Sequence, residues 1–242
     1  MPGRLIVNEI YLSLQGESTF AGLPCVFIRL TGCDLRCSYC DTAYAFSEGA
    51  PSNLDQIENR VKELAAPYGT TTDGMRLPIV ELTGGEPLLQ PASLELMESL
   101  CQAGFTVLIE TSGAHDISRI DSRVRRIMDI KCPSSAESER NRWENLEHLT
   151  ALDEVKFVIG TREDYDWAKE TLATRRLPCP ILFSWVAPLE SGQRHKSLKP
   201  VPTEHTPISR RELAENIIAD ALPVRFQIQS HKIIWNATAR GV

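Results

Sequence analysis

Short apolar, β-branched runs recur along the chain and alternate with stretches patterned as helices. The runs 25–31 (CVFIRLT), 78–83 (PIVELT), 106–110 (TVLIE), 126–130 (RIMDI), 155–159 (VKFVI), 181–185 (ILFSW) and 224–230 (VRFQIQS) predict strands. Their near-continuous hydrophobicity suits strands covered on both faces, as in a parallel sheet. Helices are predicted over 53–66, 91–103, 163–174 and 209–221, with Asn53 and Ser209 as N-caps and Gln56 and Glu212 three positions on. Strand and helix in alternation imply right-handed crossovers, hence an α/β fold built as an open sheet or a partial barrel. The first segment, Leu5 to Leu14 (LIVNEIYLSL), alternates from Asn8 onward and predicts an edge strand with one wet face, ending in Gln15-Gly16-Glu17. The stretch 186–208, rich in Pro, Ser and His, predicts a long loop; a lid and a disordered excursion both stay open.

Composition narrows the class. With 242 residues, 42% hydrophobic and 24% charged, the chain is an ordinary globular one with apolar content for a sizeable core, and it is expected to form one domain over 1–242. A net charge of −6 argues against a broad nucleic-acid-binding surface. No apolar run approaches the roughly 20 residues that span a bilayer. Arg4, Asn8 and Glu9 interrupt the N-terminal segment, which lacks the apolar centre of a signal peptide, so a cytoplasmic location with no membrane partner is expected. Of seven cysteines, Cys33, Cys37 and Cys40 are crowded together, and in a reducing compartment such a crowd reads as metal ligation.

The candidate chemistry sits at strand ends, where parallel α/β folds bind ligands. Cys33, Cys37 and Cys40 form C-x3-C-x2-C directly after a predicted strand. A 4Fe–4S cluster takes four ligands, so three cysteines leave one iron for an exogenous chelator. A closed zinc site would need a fourth Cys or His, and Cys25, Cys101, Cys132 and Cys179 are scattered, as small buried hydrophobes are. Thr83-Gly84-Gly85-Glu86-Pro87 follows PIVEL. Alone it reads as a strand-to-helix turn, and its glycines also let backbone approach a ligand closely. Glu110-Thr111-Ser112-Gly113, Asp129-Ile130-Lys131, Ser184 and Gln229-Ser230-His231-Lys232 close later strands. Lys156, inside the fifth, either contacts a ligand or pairs with a neighbouring carboxylate.

With Tyr39 before its last Cys, the triad is similar to the signature of the radical S-adenosylmethionine (SAM) superfamily, and Thr83–Pro87 resembles that superfamily's GGEP motif. The resemblance implies that SAM chelates the open iron and is cleaved to a 5′-deoxyadenosyl radical. Glu9 to Glu17 (EIYLSLQGE) resembles the EIFxTLQGEG opening of the 7-carboxy-7-deazaguanine synthase (QueE) family, with Ser18 in place of the last Gly. Cys40-Asp41-Thr42, the ETSG at 110–113, the SHK at 230–232 and the terminal Arg240-Gly241-Val242 match the same family. The likeness covers essentially the whole chain and is weakest over 132–154 and 186–208.

This resemblance implies a modified partial (β/α) barrel of the radical SAM type with a mostly parallel sheet. It implies a homodimeric lyase converting 6-carboxy-5,6,7,8-tetrahydropterin to 7-carboxy-7-deazaguanine and ammonia, on the route to queuosine. SAM, the cluster and Mg²⁺ would be its cofactors and a flavodoxin-like or other reductant its electron source. Residue by residue, Thr42 would bind Mg²⁺, with a helix cap or turn hydroxyl as the plain alternative. Gly85, Asp129, Ile130, Lys131 and Ser184 would contact SAM; some relatives read SPK at 129–131, so only backbone contacts carry over there. The backbone of Leu14, Gln15 and Gly16, together with Arg29, Thr83 and Val242, would bind substrate, Arg29 through the carboxylate that suits its planar fork. A glycyl-radical-activating enzyme shares the triad, GGEP and DIK but not the QGE element or the C-terminal SHK. A plain iron–sulfur electron carrier would normally close its cluster with a fourth ligand.

Overall fold

The computed structural model describes residues 3–236 and 238–242. The chain runs β1 (Arg4–Leu14), β2 (Pro24–Leu30), β3 (Ala50–Asn53), α1 (Leu54–Ala65), β4 (Ile79–Gly84), α2 (Ala92–Gln102), β5 (Val107–Thr111), β6 (Arg125–Ile130), β7 (Glu154–Ile159), α3 (Arg162–Thr174), β8 (Ile181–Trp185), α4 (Arg210–Ala219), β9 (Arg225–Ile228) and α5 (His231–Ile234). All nine strands join one sheet in the order β3-β1-β2-β4-β5-β6-β7-β8-β9. From β2 onward every neighbour is parallel, while β1 runs antiparallel to β2 and β3. The mostly parallel α/β sheet of the sequence reading is therefore present, open at β3 and β9.

Asn53 caps α1 in a reciprocal capping box with Gln56, and the Ser209 side chain accepts from the backbone N–H of Glu212 at the start of α4. Both helices begin where orphan N–H groups find a side-chain acceptor. One expectation is corrected. β1 is not an edge strand over its first half, because Arg4–Val7 pairs with β3 on one side while β2 joins from Val7 onward on the other. Crossovers also shorten after β5: only turns and short 3-10 segments link β5 to β6 and β6 to β7.

Period-two alternation divides each inner strand between two environments. Val26, Ile28 and Leu30, Val80 and Leu82, Val107 and Ile109, Met128 and Ile130, and Val155, Phe157 and Ile159 pack into one large core that also takes the apolar faces of the helices. The opposite face carries a small apolar plug of Cys25, Ile79, Leu108 and Ile127. Two residues further along each strand, toward its carboxyl end, stand Phe27, Glu81, Glu110 and Asp129, with Lys156 level with Asp129 on β7. The plug is the base of a bowl, and this second layer is its floor.

Candidate active site

Above that floor lies a cavity of about 670 Å³, within the range that takes small ligands and cofactors. Cys33, Cys37 and Cys40 line one wall. They stand on the loop after β2, held by backbone bonds from Gly32 N–H to the Ala45 carbonyl and from Ser38 N–H to the Ser135 carbonyl. The turn after β4 presses against this loop. Glu86 N–H donates to the Gly32 carbonyl, and Gly85 N–H to the Leu30 carbonyl. A Cβ on Gly85 would lie 2.1 Å from the Gly32 oxygen, so only glycine fits.

No three His, Cys, Asp or Glu among the described residues are placed to hold one metal ion. Among the described residues, Cys33, Cys37 and Cys40 are the only cysteines lining the cavity, the number that holds a 4Fe–4S cluster with one iron left open. Burial pushes the Cys33 thiol up to about 11 and the Cys37 thiol up to about 12, with Cys40 raised as well. Thiols so desolvated ionise only against a strong cation, the requirement of a metal ligand. Lys131, held charged against burial by Asp129, adds positive charge toward Cys37.

Lys156 is the hub of the floor. Its side chain is 3% exposed, and its ammonium reaches Glu17 at 3.0 Å, Asp129 at 3.3 Å and Glu110 more closely still. Of the two readings of Lys156, the pairing with neighbouring carboxylates is present, and the residue also lines the cavity. Glu110 also accepts from the Thr83 hydroxyl at 3.1 Å. Burial opposes charge on Glu17, but Lys156 and His231 overcome it and hold the carboxyl down to about 2. Burial would likewise neutralise Lys156, yet Asp129, Glu110 and Glu17 keep it charged.

Arg29, from β2, donates through Nε to Glu9 at 2.7 Å and through Nη2 to the Tyr11 hydroxyl at 2.9 Å. The Tyr44 hydroxyl donates to the same Glu9 oxygen. Arg29 thus forms an ion pair with Glu9, the two side chains 12% and 19% exposed, and itself stands in the cavity wall. Across the mouth, Arg240 stacks on Tyr44 at 3.7 Å and pairs with Glu48 at 2.8 Å, which brings Gly241 and Val242 to the cavity. Gly192, Gln193, Arg194 and His195, from the long loop 186–208, also line it. That loop is tied down by Lys199, which bonds the Ala136 carbonyl and Glu137 through Nζ and the Arg36 carbonyl through its N–H.

Of the residues named from sequence, Leu14, Gln15, Gly16, Arg29, Thr42, Thr83, Gly85, Asp129, Lys131 and Val242 line the same cavity as the three cysteines. Ile130 and Ser184 do not. Ile130 points into the helix-side core, and Ser184 is buried on β8 beside Val158, its ladder partner. The Thr42 hydroxyl makes no cap bond at the 3-10 turn it precedes, so it is not a helix cap; its contact with Cys40 Sγ, at 3.8 Å, is that of a turn hydroxyl. The Gln15 N–H donates to the Leu23 carbonyl, the Gln15 carbonyl accepts from Gly22, and the Gly16 carbonyl accepts from Ser230. Much of that backbone is thus engaged within the protein.

Glu17, Asp41 and Lys232 stand in motifs named above but carry no individual role there, and Glu48, Glu81 and Tyr44 line the cavity without any sequence motif to mark them. Glu81 had a legible signal, because it stands two places before Thr83 on one strand and must share its face. Asp41 and Lys232 pair across 191 positions of chain at 2.5 Å, which no local pattern announces.

Residues 27–176 match the Radical SAM superfamily. The 7-carboxy-7-deazaguanine synthase of Koribacter versatilis (strain Ellin345) is 41% identical over 98% of this chain and 99% of its own length. That of Chlorobaculum tepidum is also 41% identical, over 98% of this chain and 97% of its own. In fold, the chain resembles the crystal structure of QueE from Escherichia coli, with a TM-score of 0.65 at 23% identity, covering 93% of this chain and 94% of that one. Three thiols on one wall of a cavity at the carboxyl ends of a parallel sheet, and full-length identity at this level, lead to one conclusion: the chain belongs to the radical SAM superfamily and, within it, to the 7-carboxy-7-deazaguanine synthase family.

Proposed function

We propose that this chain converts 6-carboxy-5,6,7,8-tetrahydropterin to 7-carboxy-7-deazaguanine and ammonia, acting as one domain over residues 1–242. The observation that carries the reading is that Cys33, Cys37 and Cys40 share one cavity with Arg29 and a floor of hydrogen-bonding side chains. The three thiols would hold the 4Fe–4S cluster, and Gly85, Asp129 and Lys131 would face SAM beside it. When bound, cluster and SAM supply hydrogen-atom abstraction from a ring carbon of the substrate. The protein's own work is to hold the pterin still, orient its reacting carbon and keep water out. Arg29, steadied by Glu9 and Tyr11, presents its guanidinium to the substrate carboxylate. Thr83 and the engaged Gln15–Gly16 turn border the ring. Thr42 offers a single hydroxyl for Mg²⁺, an ion that keeps most of its waters and takes substrate oxygens. A flavodoxin-like or other reductant, a homodimer, a cytoplasmic setting, and SAM contacts from Ile130 and Ser184 through small shifts belong to the same proposal. Among the described residues, no helix is long and apolar enough to cross a membrane.

Anaerobic incubation with the carboxypterin, SAM, Mg²⁺ and a reductant, read by mass spectrometry, tests the reaction. The expected result is 7-carboxy-7-deazaguanine, with deuterium from C6 appearing in recovered SAM and SAM not consumed in step with turnover. One 5′-deoxyadenosine per product would make SAM a co-substrate. No pterin-derived product would remove the proposal. A second test addresses Arg29. Arg29→Lys replaces a planar fork with a point charge and leaves Glu9 and Tyr11 without their Nε and Nη2 partners. Substrate affinity should fall about ten- to hundredfold, equivalent to roughly 1.4–3 kcal/mol, while SAM affinity holds. The reverse pattern in equilibrium binding would move Arg29 to the cofactor side.

A further inference from the structure

Among the described residues, every Asp or Glu side chain lining the cavity but one is within salt-bridge distance of a cation. Glu17, Glu110 and Asp129 meet Lys156, Asp41 meets Lys232, and Glu48 meets Arg240. The exception is Glu81. It is 1% exposed, stands on the floor beside Glu110, and its one hydrogen bond among the described residues is from the neutral Gln15 amide, 3.0 Å away at Oε2. A buried carboxyl with no cation and a single neutral donor keeps its proton.

The proposed reaction needs such a group. Substrate and product differ by one ammonia and nothing else, so after ring contraction the last step is a redox-neutral elimination. We propose that Glu81 is the acid of that step, keeping its proton at neutral pH and giving it to the nitrogen that leaves; this rests on the function proposed above. The C–N bond breaks and its electron pair stays on nitrogen. The nitrogen takes the Glu81 proton and departs as ammonia. The adjacent ring C–H bond breaks, its electron pair becomes the new ring double bond, and its proton returns to the Glu81 carboxylate. Atoms and charge balance, and the carboxyl is restored.

The other carboxylates on the floor are paired with a cation. Lys156 donates to Glu17 and Glu110 and lies 3.3 Å from Asp129. Burial raises the Glu110 carboxyl too, against the pull of Lys156, but its oxygens are already engaged by Lys156 and the Thr83 hydroxyl. Burial, Glu110 and more distant Glu17 raise the Glu81 carboxyl to about 8, while Gln15 and Lys156 oppose the rise. Cys25 and Tyr11, the titratable neighbours on β2 and β1, are themselves raised by burial and neutral. An acid in this range matches physiological pH, where general acids work best.

The test compares wild type with Glu81→Gln, which keeps the shape and a hydrogen-bonding partner for Gln15, and with Glu81→Asp. In Glu81→Gln, deuterium transfer from C6 into SAM should persist, ammonia release should fall about 100-fold or more, and a species with the mass of the substrate, one ammonia heavier than product, should accumulate. Glu81→Asp should restore part of the ammonia release. Wild-type ammonia release should decline as pH rises through about 8, and Glu81→Gln should lose that descending limb. Independently of turnover, the infrared difference between wild type and Glu81→Gln at neutral pH should contain a protonated-carboxyl stretch. Ammonia release near the wild-type rate in Glu81→Gln, loss of deuterium transfer along with it, or absence of the carboxyl band would each overturn the assignment. Wild type that makes no deazaguanine at all would instead remove the function it rests on.

Discussion

A Cys37→Ala protein, reconstituted anaerobically, holds no stable 4Fe–4S cluster and cleaves no SAM. Cys37 is the most deeply buried of the three thiols, and its removal leaves two where a cluster with one open iron needs three. Cys33→Ala and Cys40→Ala should behave alike. Cys101→Ala and Cys179→Ala should keep both iron and SAM cleavage, because neither side chain lines the cavity and both pack partly against the hydrophobic core. Iron and sulfide analysis with the cluster's EPR spectrum reads the first effect, and 5′-deoxyadenosine formation reads the second. A Cys37→Ala protein with full iron content and cleavage would sink the ligand assignment.

Lys156→Met destabilises the fold by about 3–5 kcal/mol, the scale for stripping one partner from a buried ion cluster. Methionine fills most of the volume but leaves Glu17, Glu110 and Asp129 facing one another in a dry floor. The loss depends on pH in a definite direction. Glu17 is held down to about 2, so its stabilising share is present above the ordinary carboxyl range and fades as pH falls toward 2. The Lys156 share is present below the ordinary lysine range and is lost only as pH rises through its elevated folded value. The gap between wild type and variant should therefore be widest from about pH 5 to 10 and narrow below about pH 4.5. Chemical denaturation at several pH values measures this. A gap that stayed constant down to pH 3 would mean the carboxylates do not carry the loss.

The legible parts of this molecule are those whose signal is local. Strand runs such as PIVEL and VKFVI and caps such as Asn53 with Gln56 declare themselves within a few residues, and the structure places them close to where they were expected. The cysteine triad and the glycine pair were equally visible, because their chemistry fixes residue type at fixed spacing. β3 was not legible. Its sequence, APSN, has no β-branched or aromatic residue, and it becomes a strand because Arg4–Val7 offers an unpaired edge. Strand parity aims the Ile130 side chain at the opposite face from Asp129, which leaves that position only the backbone contact its motif implies. Glu81 carries no local sign of a cavity role beyond its parity with Thr83. Only the pairing of strands far apart in sequence, which sets Glu81, Glu110 and Lys156 around one cavity, turns single charges into a floor.

The fit of Gly84 and Gly85 against the cysteine loop has a consequence for anyone redesigning this catalyst. A Cβ at Gly84 would sit 2.3 Å from the Leu30 oxygen, and one at Gly85 would strike Gly32 and approach Cys33 to 3.0 Å. Loop and turn thus behave as a single machined part made from two distant stretches of chain. Exchanging the cysteine loop for a relative's, or lengthening it, calls for the matching glycine turn in the same transplant, whereas the mouth, formed by 192–195 and 238–242, can be recut without touching that joint. New substrates are better sought by varying the mouth than by varying the motif that first identified the site.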